Sequence, residues 1–410
     1  MAEERAFGSL QGLKVVEIST SVAGPLVGTI LGDLGADVIK VEQVGRGDDT
    51  RKWTPPDWDG NSVTFMSLNR NKRSLELDYK HPDGKQILAD LLADADIFVH
   101  NLRPGALTRA GFSWEDMSAL NPRLIYCEIS GFGPGGPKSF DAAYDPLIQA
   151  YSGIVSLMAP VEGSPVRVPL SILDKGSAMW AVIGIMDALR RRDLTGAGSH
   201  VETSLLQTAM SWISVQLIGA VAGNERREAL GSGHDGVVPY GAFPVQGGHI
   251  FISAGNQALW LKFLTATGET DLNSEPGFGS NPERAANRSL VNARVSEITS
   301  RYAADDLLRL LKEHNVPASM VNRVEDMVTD EQVAQTGIIE SVEHPSIEGF
   351  KVVNIPVTIN GEYPAHTRPA PSLGASSREV VQQIGRSADE IDRLVSLGII
   401  GVSSEEGSGK

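Results

Sequence analysis

The sequence lacks several features that would assign it to a special class of protein. It contains a single cysteine, Cys127, which excludes an internal disulfide framework and favours a reducing compartment. Acidic residues outnumber basic ones and give a formal net charge of −15 at pH 7. This balance disfavours nucleic acid as a partner, because a phosphate backbone requires a basic face. No stretch approaches the roughly 18 consecutive apolar residues of a membrane span.

Targeting and metal-binding signals are also missing. Met1 to Arg5 is acidic and contains no apolar segment, so no secretory leader is predicted. The eight histidines show no spacing typical of metal ligands, so no metal is predicted. Together with the single cysteine, these absences predict a cytoplasmic protein that uses no membrane, nucleic acid or metal.

The N-terminal third alternates short apolar runs with helical patterns. A chain of 410 residues exceeds what one hydrophobic core normally supports, so two domains are expected. The alternation predicts an α/β fold with a mostly parallel, doubly wound sheet, whose ligands bind at the carboxyl ends of the strands. The strands predicted in this part are Leu13–Ile18, Asp37–Val41, Ile97–His100 and Leu124–Ile129.

The pattern changes in the second half of the chain. Residues 1–222 are predicted to form the first part of a large domain, and residues 326–410 are predicted to return to it. A Gly-rich linker over Asn224–Gly236 opens a smaller inserted α/β domain, residues 223–325, and a frayed tail follows Ser403. Further predicted elements are helices over Leu205–Ala222 and Ala388–Leu397, a hairpin near Phe243–Gly248, and strands over His249–Ser253 and near Ile355–Ile359.

One acidic residue stands out in the stretch from Val168 to Leu189. An apolar, extended run, Val168–Leu173, ends in Asp174, and a nearly all-apolar helical segment follows over Met179–Leu189. Unpaired backbone N–H groups gather where a helix begins, and the helix dipole favours negative charge there. Asp174 is therefore interpreted either as a helix N-cap or as a nucleophile. A nucleophile here would be a carboxylate held ionised, with low basicity, that accepts an acyl group.

Two basic clusters lie near predicted strand ends, Asn69–Arg73 and Asn101–Arg109. Both combine Arg or Lys with Asn, a mixture of charged and amide donors that suits a phosphate-bearing ligand. A dinucleotide is disfavoured, because the segment Ala23–Gly28 lacks the G-x-G-x-x-G spacing and places Pro25 at the phosphate turn. The glycines of that segment are explained by turn formation and helix packing.

A series of short motifs occurs in a fixed order along nearly the whole chain. The motifs are Ala23-Gly24-Pro25, Leu34–Glu42, Asn71–Ser74, Asn101–Gly105, Gly131-Phe132-Gly133, Asp174, Thr195–Gly198, Pro239-Tyr240 and Val316-Pro317-Ala318. Together they make the sequence similar to the class III coenzyme A (CoA) transferases. That family includes formyl-CoA and carnitine-CoA transferases and α-methylacyl-CoA racemase.

The resemblance implies a fold, a reaction and a set of site residues. It implies a large Rossmann-like domain built from both chain ends, a small inserted domain, and a homodimer of interlocked subunits. It implies that CoA passes from an acyl-CoA to a small carboxylic acid through a mixed anhydride on Asp174. Lys72, Asn101 and Arg109 would contact the nucleotide end of CoA, and Leu102 would lie beside the adenine. Further implied positions are Val22, Ala23, Arg73 and Tyr144 for CoA, and Gly255, Asn256 and Gln257 for a loop over the intermediate.

Two departures from the family pattern bear on the reaction. Racemase members carry a His-Asp pair upstream of the aspartate, whereas this sequence has Tyr144-Asp145, so transfer is favoured over racemisation. Formyl-CoA transferases carry His-Val-Gln before the Ala-Gly-Pro motif, whereas this sequence has Thr20-Ser21-Val22, so neither formate nor oxalate is assigned as a substrate. A CoA-ester racemase or epimerase and a non-catalytic CoA-binding protein remain as alternatives.

Overall fold

The structure is a computed structural model that describes residues 8–160, 163–224, 230–234, 236–364 and 368–403. Three of the predicted features fall wholly or partly outside the described residues. They are the Met1–Arg5 stretch, part of the linker Asn224–Gly236, and the tail beyond Ser403.

The helices and strands follow one another in chain order. The first half contains β1 (Lys14–Ile18), α1 (Ala23–Asp33), β2 (Asp37–Glu42), β3 (Asp57–Trp58), β4 (Asn61–Ser62), α2 (Val63–Asn69), β5 (Lys72–Leu77), α3 (Pro82–Ala93), β6 (Ile97–His100), α4 (Ala106–Ala110), α5 (Trp114–Leu120), β7 (Ile125–Ser130), α6 (Asp145–Ser152), α7 (Ile154–Leu157), α8 (Ile172–Thr195) and β8 (Ser199–Ser204). The second half contains α9 (Leu205–Trp212), α10 (Ser214–Val221), β9 (Tyr240–Val245), β10 (Gly248–Ser253), α11 (Gln257–Thr267), α12 (Asn281–Ala286), α13 (Arg288–Thr299), α14 (Ala304–Glu313), β11 (Ala318–Met320), α15 (Glu331–Thr336), β12 (Ile339–Ser341), β13 (Lys351–Val353), α16 (Ser377–Gln383), α17 (Ala388–Ser396) and β14 (Ile400–Gly401).

The chain divides into two compact units. The first is drawn from Met1–Ile154, Val168–Leu217 and Thr336–Lys410, and the second from Val155–Arg167 and Ile218–Gln335. Among the described residues, each unit has its own apolar core.

A seven-stranded sheet forms the centre of the first unit, in the order β14-β5-β2-β1-β6-β7-β8. Its strands pair in parallel except for β14, which runs antiparallel to β5. The predicted α/β fold with a mostly parallel sheet is therefore confirmed. Helices cover both faces of the sheet. Successive strand residues such as Val15 and Val16 are therefore both buried, and they pack into separate apolar clusters.

The strand order opens a crevice between β1 and β6. From β1 the chain continues through β2 to β5 on one side, and from β6 it continues through β7 to β8 on the other. The loops that follow β1 and β6 consequently diverge at the carboxyl edge of the sheet, where doubly wound folds bind their ligands.

The second unit contains a three-stranded antiparallel sheet in the order β11-β10-β9. The predicted hairpin is present as β9 and β10, joined at Gln246-Gly247. The sheet packs with α11, α13 and α14, whose buried residues include Trp260, Val295 and Leu307.

Three elements differ from the predictions. Helix α8 begins at Ile172 rather than after Asp174, and it includes Gly176, where an added Cβ would lie 2.3 Å from the Trp212 ring of α9. The predicted helix Leu205–Ala222 is two helices separated at Ile213. No strand forms over Ile355–Ile359, where a proline interrupts the run, and β12 pairs with β13 instead.

Candidate active site

A cleft of about 940 Å³ lies at the carboxyl edge of the sheet in the first unit. Its walls come from the segments after β1, β2, β6 and β7, from the beginning of α6 and from the first turn of α8. Six of the predicted site residues line it: Val22, Ala23, Asn101, Leu102, Tyr144 and Asp174.

Asp174 is the third residue of α8 and is half-buried in the cleft wall. The N-cap residue is Ser171, but its side chain makes no capping hydrogen bond to the helix. No hydrogen bond joins the Asp174 carboxylate to another residue that the structure describes. The N-cap interpretation of Asp174 is therefore wrong, and its carboxylate is available to a ligand.

Asp145 holds the amino end of α8 in place of a cap. Its Oδ2 atom accepts the backbone N–H of Leu173 at 2.6 Å and that of Asp174 at 3.1 Å. The side-chain amide of Gln149 donates to the other oxygen of Asp145, and it also contacts the backbone carbonyls of Val168 and Leu170. The segment that leads into α8 is thereby tied to α6.

The Asp174 carboxylate is more basic than the sequence predicted. Burial raises the pKa of Asp174 to about 7, and the neighbouring Asp145 carboxylate raises it further in the same direction. The prediction failed because the free N–H groups that would lower this pKa are taken by Asp145.

Asn101 shapes the loop after β1. Its Oδ1 accepts the Thr20 N–H at 3.0 Å, and its Nδ2 donates to the Thr20 carbonyl at 2.7 Å. The next residue, Ser21, has a φ of 67° and donates its N–H to Asp48 at 3.2 Å. Gly24 permits this arrangement, because an added Cβ would lie 2.4 Å from the side chain of Ser19.

Three basic side chains line the cleft: Arg46, Lys52 and Arg103. Arg103 belongs to the predicted cluster Asn101–Arg109, whereas Arg46 and Lys52 were missed. Both follow β2, so the rule that ligands bind beyond the carboxyl ends of parallel strands could have found them. Arg46 is paired with Asp49 at 2.9 Å.

Lys72 lies inside the first unit and not in the cleft. Its side chain is 0% exposed, and its Nζ contacts Glu17 Oε2 at 2.9 Å and the carbonyls of Pro25 and Leu68. Burial lowers the pKa of Lys72 to about 8. Since every one of these partners is internal, the implied contact with the nucleotide does not fit this position.

Arg73 is at the opposite edge of the sheet. It pairs with Asp37, which begins β2, and with Glu379 of α16. The cluster Asn69–Arg73 leads into β5 and includes its first two residues, so it lies at the amino end of that strand, whereas the cleft lies at the carboxyl ends. Arg109 is exposed on α4 beside Gly105 and is not among the residues that line the cleft.

The predicted loop residues belong to the second unit. Asn256 is the N-cap of α11 and accepts the Leu259 N–H at 2.9 Å. Gln257 donates to Asn273 and accepts from the buried Arg284. The loop is thus held firmly within its own unit, and its role over an intermediate stays a prediction.

Two further properties of the described residues are relevant to the chemistry. They contain no group of three or more His, Cys, Asp or Glu side chains that could hold a metal ion. None of the helices in this part of the chain is long and apolar enough to cross a membrane.

Comparison with known proteins identifies relatives over nearly the full length. The family model described as CoA-transferase family III matches residues 10–377. Succinyl-CoA:glutarate CoA-transferase of Mus musculus is 32% identical over 397 residues, which cover 95% of this chain and 90% of that protein. Acetyl-CoA:oxalate CoA-transferase of Acetobacter aceti is 32% identical over 378 residues, which cover 91% of this chain and 95% of that protein. The crystal structure of a CAIB/BAIF family protein from Brucella suis has a TM-score of 0.83 and 33% identity, and covers 92% of this chain and 100% of that one.

Proposed function

This chain belongs to CoA-transferase family III, and from that premise we propose that Asp174 is the nucleophile with which it moves CoA from an acyl-CoA to a free acid. One observation carries the proposal. The Asp174 carboxylate lines an open cleft of about 940 Å³ and has no hydrogen-bond partner among the described residues.

The first half of the reaction places the acyl group on the enzyme. An oxygen of the Asp174 carboxylate bonds to the thioester carbonyl carbon, the C–S bond breaks, and CoA leaves as a thiolate with the bonding electron pair. The product is a mixed anhydride. The thiolate then attacks the aspartyl carbonyl, which releases the donor acid as a carboxylate and leaves CoA on Asp174 as a thioester.

The second half reverses these steps with the acceptor acid. The acceptor carboxylate attacks the aspartyl thioester and displaces the thiolate, which forms a second mixed anhydride. The thiolate attacks the acceptor carbonyl of that anhydride. The acceptor leaves as its CoA ester, and the Asp174 carboxylate is regenerated with all charges balanced.

The raised pKa of Asp174 suits this role. At a pKa of about 7 the carboxylate is ionised in about half of the molecules at neutral pH. It is also more basic than an ordinary aspartate with a pKa of 3.8, and a more basic oxygen attacks a carbonyl carbon more readily.

The basic residues of the cleft would bind the anionic groups of the substrates. Arg46, Lys52 and Arg103 provide charge-assisted donors for the phosphates of CoA or for the acid. Leu102 and Val22 provide apolar contact beside Asn101, and Tyr144 lies at the mouth with 57% of its surface exposed. Neither Lys72 nor Arg73 is included, because their charges are taken up by Glu17 and Asp37.

The donor and acceptor acids of the proposed reaction belong to a limited chemical class. The relatives are named for succinyl-CoA and glutarate and for acetyl-CoA and oxalate. All of these acids are small, and three of the four are dicarboxylic. We include small dicarboxylic acids in the proposed acceptor range, since the cleft offers three cationic side chains.

Protection of the anhydride from water is also part of the proposal. We propose that Gly255, Asn256 and Gln257 cover the intermediate and donate backbone N–H groups to the oxyanion. Loss of one such donor typically lowers the rate by about 10²–10³. The support is their sequence position in the family pattern.

A homodimer is part of the proposal. Helix α8 carries exposed apolar side chains along one side, among them Met179 (56% exposed), Trp180 (44%) and Ile183 (56%). Large contiguous apolar surfaces mark protein interfaces. A second copy of the chain is the partner that the family pattern implies.

We place the enzyme in the cytoplasm. Cys127 is a free, buried thiol, and burial raises its pKa to about 12. A chain whose single cysteine is an unreactive core residue suits a reducing compartment.

The proposed nucleophile can be tested by exchange and trapping. Wild-type protein incubated with a panel of acyl-CoAs and labelled acids should transfer CoA, and hydroxylamine should convert Asp174 to its hydroxamate, detected by mass spectrometry. Asp174→Asn should lose transfer by at least about 10³-fold, and Asp193→Asn, an exposed aspartate near the end of the same helix, should keep it. Full transfer activity in Asp174→Asn contradicts the proposal.

A CoA-ester racemase or epimerase is a second candidate, favoured by one observation. An aspartate with a pKa of about 7 can also act as a general base on an α-proton. Deuterium uptake at the α-carbon without transfer of CoA to a free acid would select this reaction. A non-catalytic CoA-binding protein is disfavoured by the family to which the chain belongs.

A further inference from the structure

A second carboxylate lies against the backbone of the proposed nucleophile. Asp145 is the first residue of α6 and is 2% exposed. It accepts the N–H groups of Leu173 and Asp174 and is held from the other side by Gln149. It therefore occupies the position at the amino end of the 24-residue helix α8 where free N–H groups and the helix dipole stabilise an anion.

We infer that Asp145 is a positioning residue of the transfer reaction. By filling the anion position of α8, it fixes the backbone of Asp174 and leaves the Asp174 carboxylate without hydrogen bonds from the helix N–H groups. This inference rests on the proposed function of Asp174.

The alternative arrangement would disable the nucleophile. If the N–H groups of the first turn faced the Asp174 carboxylate, they would stabilise its charge and weaken its attack. With Asp145 in that position, its negative charge adds to the effect of burial, and both raise the pKa of Asp174. The other titratable or charged side chains that line the same cleft are Arg46, Asp49 and Lys52 after β2, Arg103 after β6, and Asp141 and Tyr144 before α6.

Asp145→Asn removes the charge of this residue and the hydrogen bond that it accepts from Gln149, but it keeps an acceptor for α8. The amide oxygen can still accept the N–H groups of Leu173 and Asp174, but the negative charge is gone. We expect the acid limb of kcat/KM for the acyl-CoA, near pH 7 in the wild type, to move to lower pH by about 1 pH unit. Above the limb, kcat should fall by about tenfold because the nucleophile is less basic, while KM changes by less than about twofold.

A second readout does not depend on turnover. Carbodiimides modify protonated carboxyl groups, so the rate of labelling at Asp174, followed by peptide mass spectrometry, reports its ionisation directly. The midpoint of labelling against pH should be lower in Asp145→Asn than in the wild type. Asp141→Asn removes a carboxylate from the same cleft, one that is paired with Lys138 at 3.1 Å, and should leave the midpoint unchanged.

The outcomes distinguish this inference from the proposed function. If Asp174→Asn abolishes transfer but Asp145→Asn keeps the wild-type midpoint, Asp145 has no electrostatic role and only the inference fails. If Asp174→Asn stays active, the proposed nucleophile itself is wrong. Asp145→Ala, which also leaves two helix N–H groups without their acceptor, should lose about tenfold more kcat than Asp145→Asn, and equal losses would overturn the positioning role.

Discussion

Asp48 and Ser21 join two walls of the cleft through one hydrogen bond of 3.2 Å, from the Ser21 N–H to Asp48 Oδ1. The same carboxylate pairs through Oδ2 with Lys40, whose Nζ lies 2.9 Å away and also 2.9 Å from Glu17. Burial alone would lower the pKa of Lys40, but the carboxylates of Glu17 and Asp48 outweigh it and raise the pKa. The loops after β1 and β2 are thus anchored to one buried ammonium group.

Removal of that ammonium group should destabilise the fold. Lys40→Met removes the ion pair of the buried Asp48 and leaves the buried Glu17 paired with Lys72. We expect the free energy of unfolding in urea to fall by about 3–5 kcal/mol, the usual effect of breaking a buried ion pair. Lys14→Met, which removes an exposed pair with Asp94, should change it by less than about 1 kcal/mol. Equal effects of the two substitutions would show that the buried ammonium group of Lys40 stabilises the fold no more than the exposed one of Lys14.

Gly176 should not tolerate a side chain. A Cβ at this position would lie 2.3 Å from the Trp212 ring and 2.9 Å from Thr208, so α8 and α9 would have to separate. We expect Gly176→Ala to lower the free energy of unfolding by about 1–3 kcal/mol. Gly219→Ala is the matched control, because the nearest atom to its Cβ would be 3.9 Å away, and it should raise stability by about 0.5–1 kcal/mol. A stable Gly176→Ala protein would show that the two helices are more loosely packed.

Arg103 and Lys52 should contribute to substrate affinity. Both line the cleft and are exposed, so each can donate to an anionic group of the incoming acyl-CoA. We expect Arg103→Ala and Lys52→Ala each to raise KM for acyl-CoA by about tenfold, the loss of one charge-assisted hydrogen bond, with kcat changed less than about twofold. Arg309→Ala, on the exposed side of α14, should leave KM unchanged. The measurement is the initial rate at low and at high salt. If KM is unchanged in both variants, Arg103 and Lys52 do not bind CoA.

The apolar side of α8 should mediate self-association. Met179 and Ile183 are one turn apart on this helix and both are 56% exposed. Replacing both with Glu should shift the mass measured by light scattering from that of two chains to that of one. Leu120→Glu alters an exposed leucine of α5, a helix that packs on the opposite face of the sheet, and should not change the mass. A wild-type protein that is already a single chain would rule out the dimer.

The parallel sheet could be predicted because its strands are short apolar runs at regular intervals. β6 has the bounds predicted for it, Ile97–His100, and α17 ends one residue before the predicted Leu397. The beginning of α8 could not be predicted in the same way. It includes Gly176, whose lack of a side chain permits a close contact with Trp212 of α9, a residue distant in the sequence.

The candidate site was predictable only in part. Asn101 and Leu102 were found because they follow a strand at its carboxyl end. Lys72 and Arg73 carry the right charges, but they begin a strand, so they lie away from the cleft and pair with internal or opposite-edge carboxylates. Asp145 was noted only as the second residue of the Tyr144-Asp145 pair, in which Tyr144 departs from the racemase pattern. Its contact with Leu173 could not be predicted, because the two positions are 28 residues apart in the chain.

Asp174 should lower the stability of the folded protein at neutral and alkaline pH. The folded state keeps its proton up to about pH 7, whereas an ordinary aspartate has a pKa of 3.8. Between these two values the folded state binds more protons than the unfolded state. The contribution of Asp174 to the free energy of unfolding therefore falls as pH rises through this window. Asp174→Asn remains neutral throughout, so we expect it to be more stable than the wild type by about 1–3 kcal/mol at about pH 8, after allowance for its partial exposure.

Urea unfolding of both proteins between about pH 4 and pH 8 measures this difference. The two stabilities should approach each other towards pH 4, where the wild-type carboxyl is protonated in the folded state and, with an ordinary pKa of 3.8, about 40% protonated in the unfolded state. Asp193→Asn, which removes an exposed aspartate of the same helix, is measured alongside as the control for the loss of one carboxylate. A constant difference for Asp174→Asn would mean that Asp174 titrates like an ordinary carboxylate. Its use as a nucleophile would then depend on accessibility alone, and Asp145 would not set its basicity.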